Sequence, residues 1–278
     1  MLHDLCDLHV HTTASDGLYT PARLVQEAAA LGLAAVAITD HDSVDGIDPA
    51  LAAAQGSSLL VVPGLELGTD YQGVEVHLLG YYLDIRHRPL NGQLERLRRS
   101  RRERAGLMVR RLQELGYRLE PEEVAARAGG GTVGRPHVAA ALVANGYVRD
   151  VDQAFAELLG RGRPAYVPRF KHSPASALAL IRAAGGVAVL AHPGLYPAAA
   201  ADLLPTLVAQ GLGGLEVYYP AHDEPAQAFY LDLCQRLNLV ATGGSDFHGP
   251  GLHGGAQLGS TGVTPAAVEE LKACALPG

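Results

Sequence analysis

Six short apolar stretches of this chain each deliver a histidine, aspartate or glutamate at or near the carboxyl end. Cys6–His11 carries Asp7-Leu8-His9-Val10-His11. Val36–Thr39 runs into Asp40-His41-Asp42, and Ser58–Val62 into Pro63-Gly64-Leu65-Glu66. Val74–Tyr82 contains His77, Val187–Ala191 ends at His192-Pro193, and Leu239–Thr242 ends in Gly243-Gly244-Ser245-Asp246-Phe247-His248. A chance scatter of 12 histidines does not favour strand ends so consistently. The carboxyl rim of a parallel sheet is where barrel enzymes keep their chemistry.

The stretches between these strands read as helices. Pro21–Leu31 has Thr20 as its N-cap and proline at its first position. Helical patterns follow near 174–184, 199–210, 224–237 and 265–274, with a further strand at Leu215–Tyr218. This alternation predicts an α/β fold whose sheet closes into a barrel, with a doubly wound sheet as the alternative. No G-x-G-x-x-G or P-loop follows a strand, so a nucleotide-cofactor fold lacks its fingerprint. Residues 91–168 break the alternation with helical pieces near 92–116, 120–128, 135–145 and 150–159. Gly129-Gly130-Gly131 reads as a linker or tight turn. The expected organisation is a barrel from 1–90 and 169–278 with a helical insertion at 91–168. Most of the 22 lysines and arginines fall between 91 and 171, although the whole chain carries a net charge of -7. A basic insert on an acidic body suits an anionic substrate and a cation-binding body.

Side chains alternate along a strand, so His9 and His11 share one face, about 7 Å apart, and can converge on one cation. The polar turn Thr12–Gly17 brings Asp16 back over the strand end. His9, His11, Asp16, His41, Glu66, His77, His192, Asp246 and His248 are too many ligands for one ion. They predict two or three divalent metals. Imidazole and carboxylate without thiolate suit Mn first, with Zn, Fe or Mg as alternatives. Paired metals bridged by hydroxide suit attack on a phosphoester.

The motifs DLHVHTTASDG, ITDHDS, GLEL, the His77 strand, LAHP and GSDFHG resemble the PHP (polymerase and histidinol phosphatase) family across nearly the whole chain. The resemblance implies a distorted (β/α)7 TIM-like barrel with a trinuclear centre. It implies that His9, His11, Glu66 and Asp246 hold one metal, that Glu66 bridges to a second held also by His77 and His192, and that Asp16, His41 and His248 hold the third. The insert, with Gly134-Arg135-Pro136-His137 and Gly162-Arg163-Pro164-Ala165-Tyr166-Val167-Pro168, resembles the branch that acts on nucleotides. The implied activity is removal of the 3′-phosphate from nucleoside 3′,5′-bisphosphates, or 5′→3′ trimming of short 5′-phosphorylated single-stranded RNA. The alternatives are a histidinol phosphatase of the same family and a metal amidohydrolase.

Around this centre, Arg135 and His137 are candidates for phosphate contact, because a helix start with nearby basic groups takes an anion, and Arg169 and Lys171 are candidates because they lie where the chain returns from the insert to the barrel. His222 and His253 are candidates to protonate the leaving group. Asp40 is expected to orient an imidazole. Three widely spaced cysteines, no basic-then-apolar leader at the N-terminus and no apolar run of about 18 residues predict a soluble cytoplasmic protein with no membrane segment.

Overall fold

A computed structural model describes residues 4–128, 133–252 and 255–275. Seven strands lie in sequential order in one sheet: β1 (Cys6–Val10), β2 (Ala35–Ile38), β3 (Leu60–Tyr71), β4 (Val74–Tyr81), β5 (Val187–Leu190), β6 (Gly214–Tyr218) and β7 (Val240–Gly243). The pairs β1–β2, β2–β3, β5–β6 and β6–β7 are parallel, whereas β4 runs antiparallel to both neighbours. Beyond β7 the chain returns to β1. Asp246 N donates to His9 O at 2.8 Å and His11 N to Phe247 O at 2.9 Å. The sheet is thereby nearly closed into the expected TIM-like barrel.

Helices α1 (Pro21–Leu31) and α2 (Ile47–Ala53) follow β1 and β2. After β4 come α3 (Arg88–Glu114), α4 (Pro121–Arg127), α5 (Arg135–Ala144) and α6 (Val151–Ala154). Helix α7 (Pro174–Ala183) leads into β5, while α8 (Pro197–Ala209), α9 (Glu224–Leu237) and α10 (Pro265–Cys274) follow β5, β6 and β7. Thr20 caps α1 as its sequence predicts, its Oγ1 accepting from Arg23 N at 3.2 Å. The short α2 was not anticipated.

The sequence ends the third strand at Val62 because Pro63-Gly64 reads as a terminator. In the structure the regular β2–β3 pairing does stop at Pro63, but β3 runs on to Tyr71 by pairing with β4. Proline is tolerated there because it falls where the strand changes partner. A Cβ on Gly64 would lie 3.0 Å from Gly80 O and 3.1 Å from Ile38 O, tight enough that a side chain there would have to push the neighbouring strands apart slightly. Gln72 (φ 49°) and Gly73 (φ 87°) make the tight turn into β4. This hairpin corrects the expectation that every candidate ligand comes from a carboxyl end. Glu66 lies mid-strand, and the reversed β4 presents His77 from its first half.

The chain divides into two compact units, Met1–Gly92 with Lys171–Gly278, and Gln93–Phe170. In the first, Leu8, Ala37, Val62, Leu79, Tyr81, Val187 and Val189 pack in one core with Val268 and Leu271 of α10. Tyr81 is fully buried, and its hydroxyl donates to Leu8 O at 2.8 Å. The second unit is helical among the described residues and has a core of its own. Ala105, Met108, Val109 and Leu112, at helical spacing on α3, join Val138, Ala139, Leu142, Leu158 and Leu159. Helix α6 continues into a single π-turn, Phe155–Leu159. Gly129-Gly130-Gly131 lies outside the described residues. Among those residues no helix is long and apolar enough to cross a membrane.

Candidate metal centre

Glu66 is the hub. Its Oε2 lies 2.9 Å from His41 Nδ1, 3.4 Å from His11 Nε2 and 3.5 Å from His9 Nε2. Its Oε1 lies 2.7 Å from His77 Nδ1 and 3.2 Å from His192 Nε2. The hairpin register explains the His77 contact: Glu66 faces Leu79, so His77, two residues earlier, is its diagonal neighbour on the same face. Asp246 Oδ1 closes the group at 3.2 Å from His11 Nε2 and 3.3 Å from His9 Nε2. Both His192 (φ 27°) and Asp246 (φ 54°) have left-handed backbone, a conformation costly for residues other than glycine and concentrated at functional sites.

Asp16 enters through the turn after His11. It stands 3.5 Å from His248 Nε2 and 3.9 Å from both His11 Nδ1 and His41 Nε2. Asp40 holds that turn rather than orienting an imidazole. It accepts from Thr12 N (2.7 Å), Thr12 Oγ1 (2.7 Å) and Ser15 Oγ (2.6 Å). All nine residues singled out as metal ligands are thus gathered in one place. Three overlapping groups present donor atoms within 4.8 Å of one another: His9, His11 and Glu66; His41, Glu66 and His77; and His11, Asp16, His41 and His248. His41 therefore reaches toward Glu66 as well as toward Asp16.

A bound cation accounts for what is otherwise an expensive arrangement. Among the described residues, His9 Nε2, His11 Nε2, Glu66 Oε2 and His192 Nδ1 are buried and make no hydrogen bond of good geometry. Native interiors rarely leave such atoms unsatisfied. The nitrogen and oxygen donors, with no thiolate, fit divalent metal ions.

The electrostatics agree. Burial alone would raise the Glu66 carboxyl, but His41, His77 and His9 hold it well below the usual range. Burial would likewise raise Asp246, and His9, His11 and His248 outweigh it. Burial lowers the His11 imidazole to about 3, helped by His248 and His41, so its ring stays neutral. His77 is opposite in sign. Burial pushes it down, but Glu66 and then Glu75 raise it to about 9. His9 is also raised, because Glu216, Asp246 and Glu66 overcome its burial.

Several supporting residues escaped the sequence reading. Glu216 on β6 is fully buried and contacts His9 Nδ1 at 2.8 Å and His192 N at 2.6 Å. Tyr219 donates to Asp246 Oδ2 at 3.0 Å. Asp7 accepts from Ser245 N (2.9 Å), Ser245 Oγ (2.6 Å) and Gly259 N (2.9 Å), binding β1 to the loop that carries Asp246 and His248. The available signal was a lone carboxylate inside an apolar run, Leu-Glu-Val-Tyr at 215–218 and Cys-Asp-Leu at 6–8.

The remaining candidates fall elsewhere. His222 is buried, with Nδ1 2.8 Å from Val217 O and Nε2 accepting from Gly194 N at 3.1 Å. Both ring nitrogens are held by backbone groups, which suits a packing role rather than proton delivery. His253 lies outside the described residues. Lys171 pairs with Glu75 at 2.5 Å, and Glu75 is 3.6 Å from His77 Nε2, so this lysine stands next to the cluster. Arg135, His137 and Arg169 belong to the second unit. There the Arg135 guanidinium lies 5.4 Å from the Phe155 ring centroid, His137 Nδ1 accepts from Gly134 N at 3.0 Å, and Arg169 Nη1 is 3.5 Å from Phe170 O.

A nearly closed barrel with imidazoles and carboxylates crowded among its strands defines the class of metal-centred hydrolytic barrels. Residues 7–120 match the PHP domain model. The chain belongs to the PHP family. It is 36% identical to the 5′-3′ exoribonuclease Rnm of Escherichia coli, over 88% of this chain and 85% of that one. It is 34% identical to the 3′,5′-nucleoside bisphosphate phosphatase of Chromobacterium violaceum, over 93% and 92%. Among solved structures, a candidate metal-dependent phosphoesterase from Bifidobacterium adolescentis superposes with a TM-score of 0.89 at 33% identity, covering 98% of this chain and 96% of that one. A protein from Chromobacterium violaceum, described as an amidohydrolase with bound sulfate and no metal, superposes with 0.86 at 32% identity, covering 98% and 97%.

Proposed function

We propose that this chain is a metal-dependent phosphoester hydrolase that removes the 3′-phosphate from nucleoside 3′,5′-bisphosphates, or trims short 5′-phosphorylated RNA from its 5′ end, or does both. The observation that carries this reading is the convergence of the buried, unsatisfied atoms His9 Nε2, His11 Nε2 and Glu66 Oε2. Two or three divalent ions, manganese first, fit the site. His9, His11, Glu66 and Asp246 would hold one ion, Glu66, His77 and His192 a second, and Asp16, His41 and His248 a third. When bound, such ions generate a nucleophile from water at neutral pH and neutralise charge on phosphoryl oxygens.

The chain's own groups do the rest. Glu66 and Asp246 stay ionised, and His11 stays neutral, as ligation requires. Lys171, paired with Glu75 next to His77, is assigned to a substrate phosphate. Arg135, His137 and Arg169 are assigned to the anionic groups of the substrate, and the net-basic residues 91–168 to its recognition. No leaving-group acid is assigned, since His222 is held at both ring nitrogens. A cytoplasmic site of action fits the three free cysteines.

The phosphoester reading is favoured over amide hydrolysis because both lysines, Lys171 and Lys272, lie off the strands, so neither offers a carboxylated bridge between metals. Release of inorganic phosphate from the bisphosphate, and of mononucleotide from the dinucleotides, tests the assignment. Manganese-loaded protein should turn over adenosine 3′,5′-bisphosphate or 5′-phosphorylated dinucleotides faster than histidinol phosphate or aryl phosphates. Preference for histidinol phosphate, or turnover of cyclic amides with no phosphate released, would overturn it.

A further inference from the structure

The carboxylate of Glu216 has no place among the nine proposed ligands, yet it lies at their centre of support. It is 0% exposed and projects from β6. One oxygen meets the His9 ring and the other the backbone nitrogen of His192. The first residue belongs to β1 and the second follows β5, so one side chain spans two separate strands of the barrel. A backbone N–H can only donate, so the oxygen at His192 accepts. The second carboxylate oxygen accepts likewise from the ring, which places a proton on His9 Nδ1. When the His9 ring is neutral its lone pair is then at Nε2, the atom that faces Glu66 at 3.5 Å and Asp246 at 3.3 Å.

We infer that Glu216 is a positioning residue: it fixes His9 in the tautomer that presents Nε2 to the metal and locks the backbone of His192 in its left-handed conformation. The strained φ of 27° at His192 is a cost, and the 2.6 Å hydrogen bond from its own N–H offsets that cost. One carboxylate thereby couples a ligand of the first proposed ion to a ligand of the second. A histidine ligand whose other nitrogen is held by a carboxylate is also a more basic donor. Glutamine cannot replace it. Its single carbonyl oxygen accepts one of the two N–H groups, and its NH2 is forced against the other donor.

The inference rests on the metal reading, and the experiment separates the two. Manganese and zinc affinities are measured by titration calorimetry, and metal content by elemental analysis, for the wild-type protein and for Glu216→Gln. Thermal melts of the metal-free proteins report folding. Nitrogen-15 spectra of the zinc-loaded wild-type protein report which nitrogen of His9 carries the proton. The expected results are a loss of metal affinity of about 10–100-fold in Glu216→Gln, a melting temperature that does not account for that loss, and a His9 Nδ1–H in the wild type. Unchanged affinity in Glu216→Gln overturns the inference alone. So does a zinc-loaded wild type ligated through His9 Nδ1, whatever the variant's folding. A folded wild type that binds no divalent ion overturns the metal reading and this inference together.

Discussion

At the scale of single residues, the cluster reads as a set of donors in opposing protonation states. His9 and His77 carry raised imidazoles and compete with a metal for their lone pairs, whereas His11, Glu66 and Asp246 are ready to ligate. Loading the site therefore expels protons. The sign follows from His77, raised to about 9: below that pH the metal must displace its proton, so affinity falls as the solution is acidified. Manganese affinity should climb between pH 6.5 and 8.5, with proton release visible as a buffer-dependent calorimetric heat. A flat profile would show that His77 does not ligate. Glu66→Gln removes the charge shared by five imidazoles and should lower the rate of phosphate release by about 100-fold or more, with loss of bound metal. A variant that keeps its metal and its rate would remove Glu66 from the hub.

At the scale of elements, strand ends and the β3–β4 hairpin carry the reactive side chains, and glycines let them approach. A Cβ on Gly244 would sit 2.4 Å from both Cβ and backbone N of His9, so the β7 loop can reach β1 only without a side chain there. Gly244→Ala should cost about 1–3 kcal/mol in chemical denaturation and weaken metal binding, since Asp246 and His248 ride on the same loop. An alanine variant of wild-type stability would show that the loop relaxes freely. The gathering of the nine candidate ligands was legible because residue type pointed to all of them and strand-end position to most, with Glu66 and His77 brought in by the hairpin instead. The β3–β4 hairpin was not, because Pro63-Gly64 carries the same local signal whether a strand stops or merely changes partner. Glu216 was hidden for a related reason: Leu-Glu-Val-Tyr alternates like any strand with one wet face, and only closure of the barrel turns that face inward. His222 shows the reverse. Its place after a strand suggested chemistry, but backbone groups of Val217 and Gly194 take both of its nitrogens.

At the scale of the whole molecule, the cluster draws every proposed ligand from the first unit, and the second unit has a separate core. Stability and chemistry should therefore be separable. Leu142 is fully buried in the second core, and Leu142→Ala should cost that unit about 2–5 kcal/mol. It should raise KM for the bisphosphate while leaving the bound-metal count at its wild-type value. Loss of metal in this variant would show that the cluster depends on the second unit. Hydrolysis at this cluster depends on the ion content of the folded chain. Elemental analysis of protein purified after growth with added manganese is its most direct test. Two or three divalent ions per chain are predicted, falling in Glu66→Gln. A correctly folded wild-type chain that holds none would contradict it.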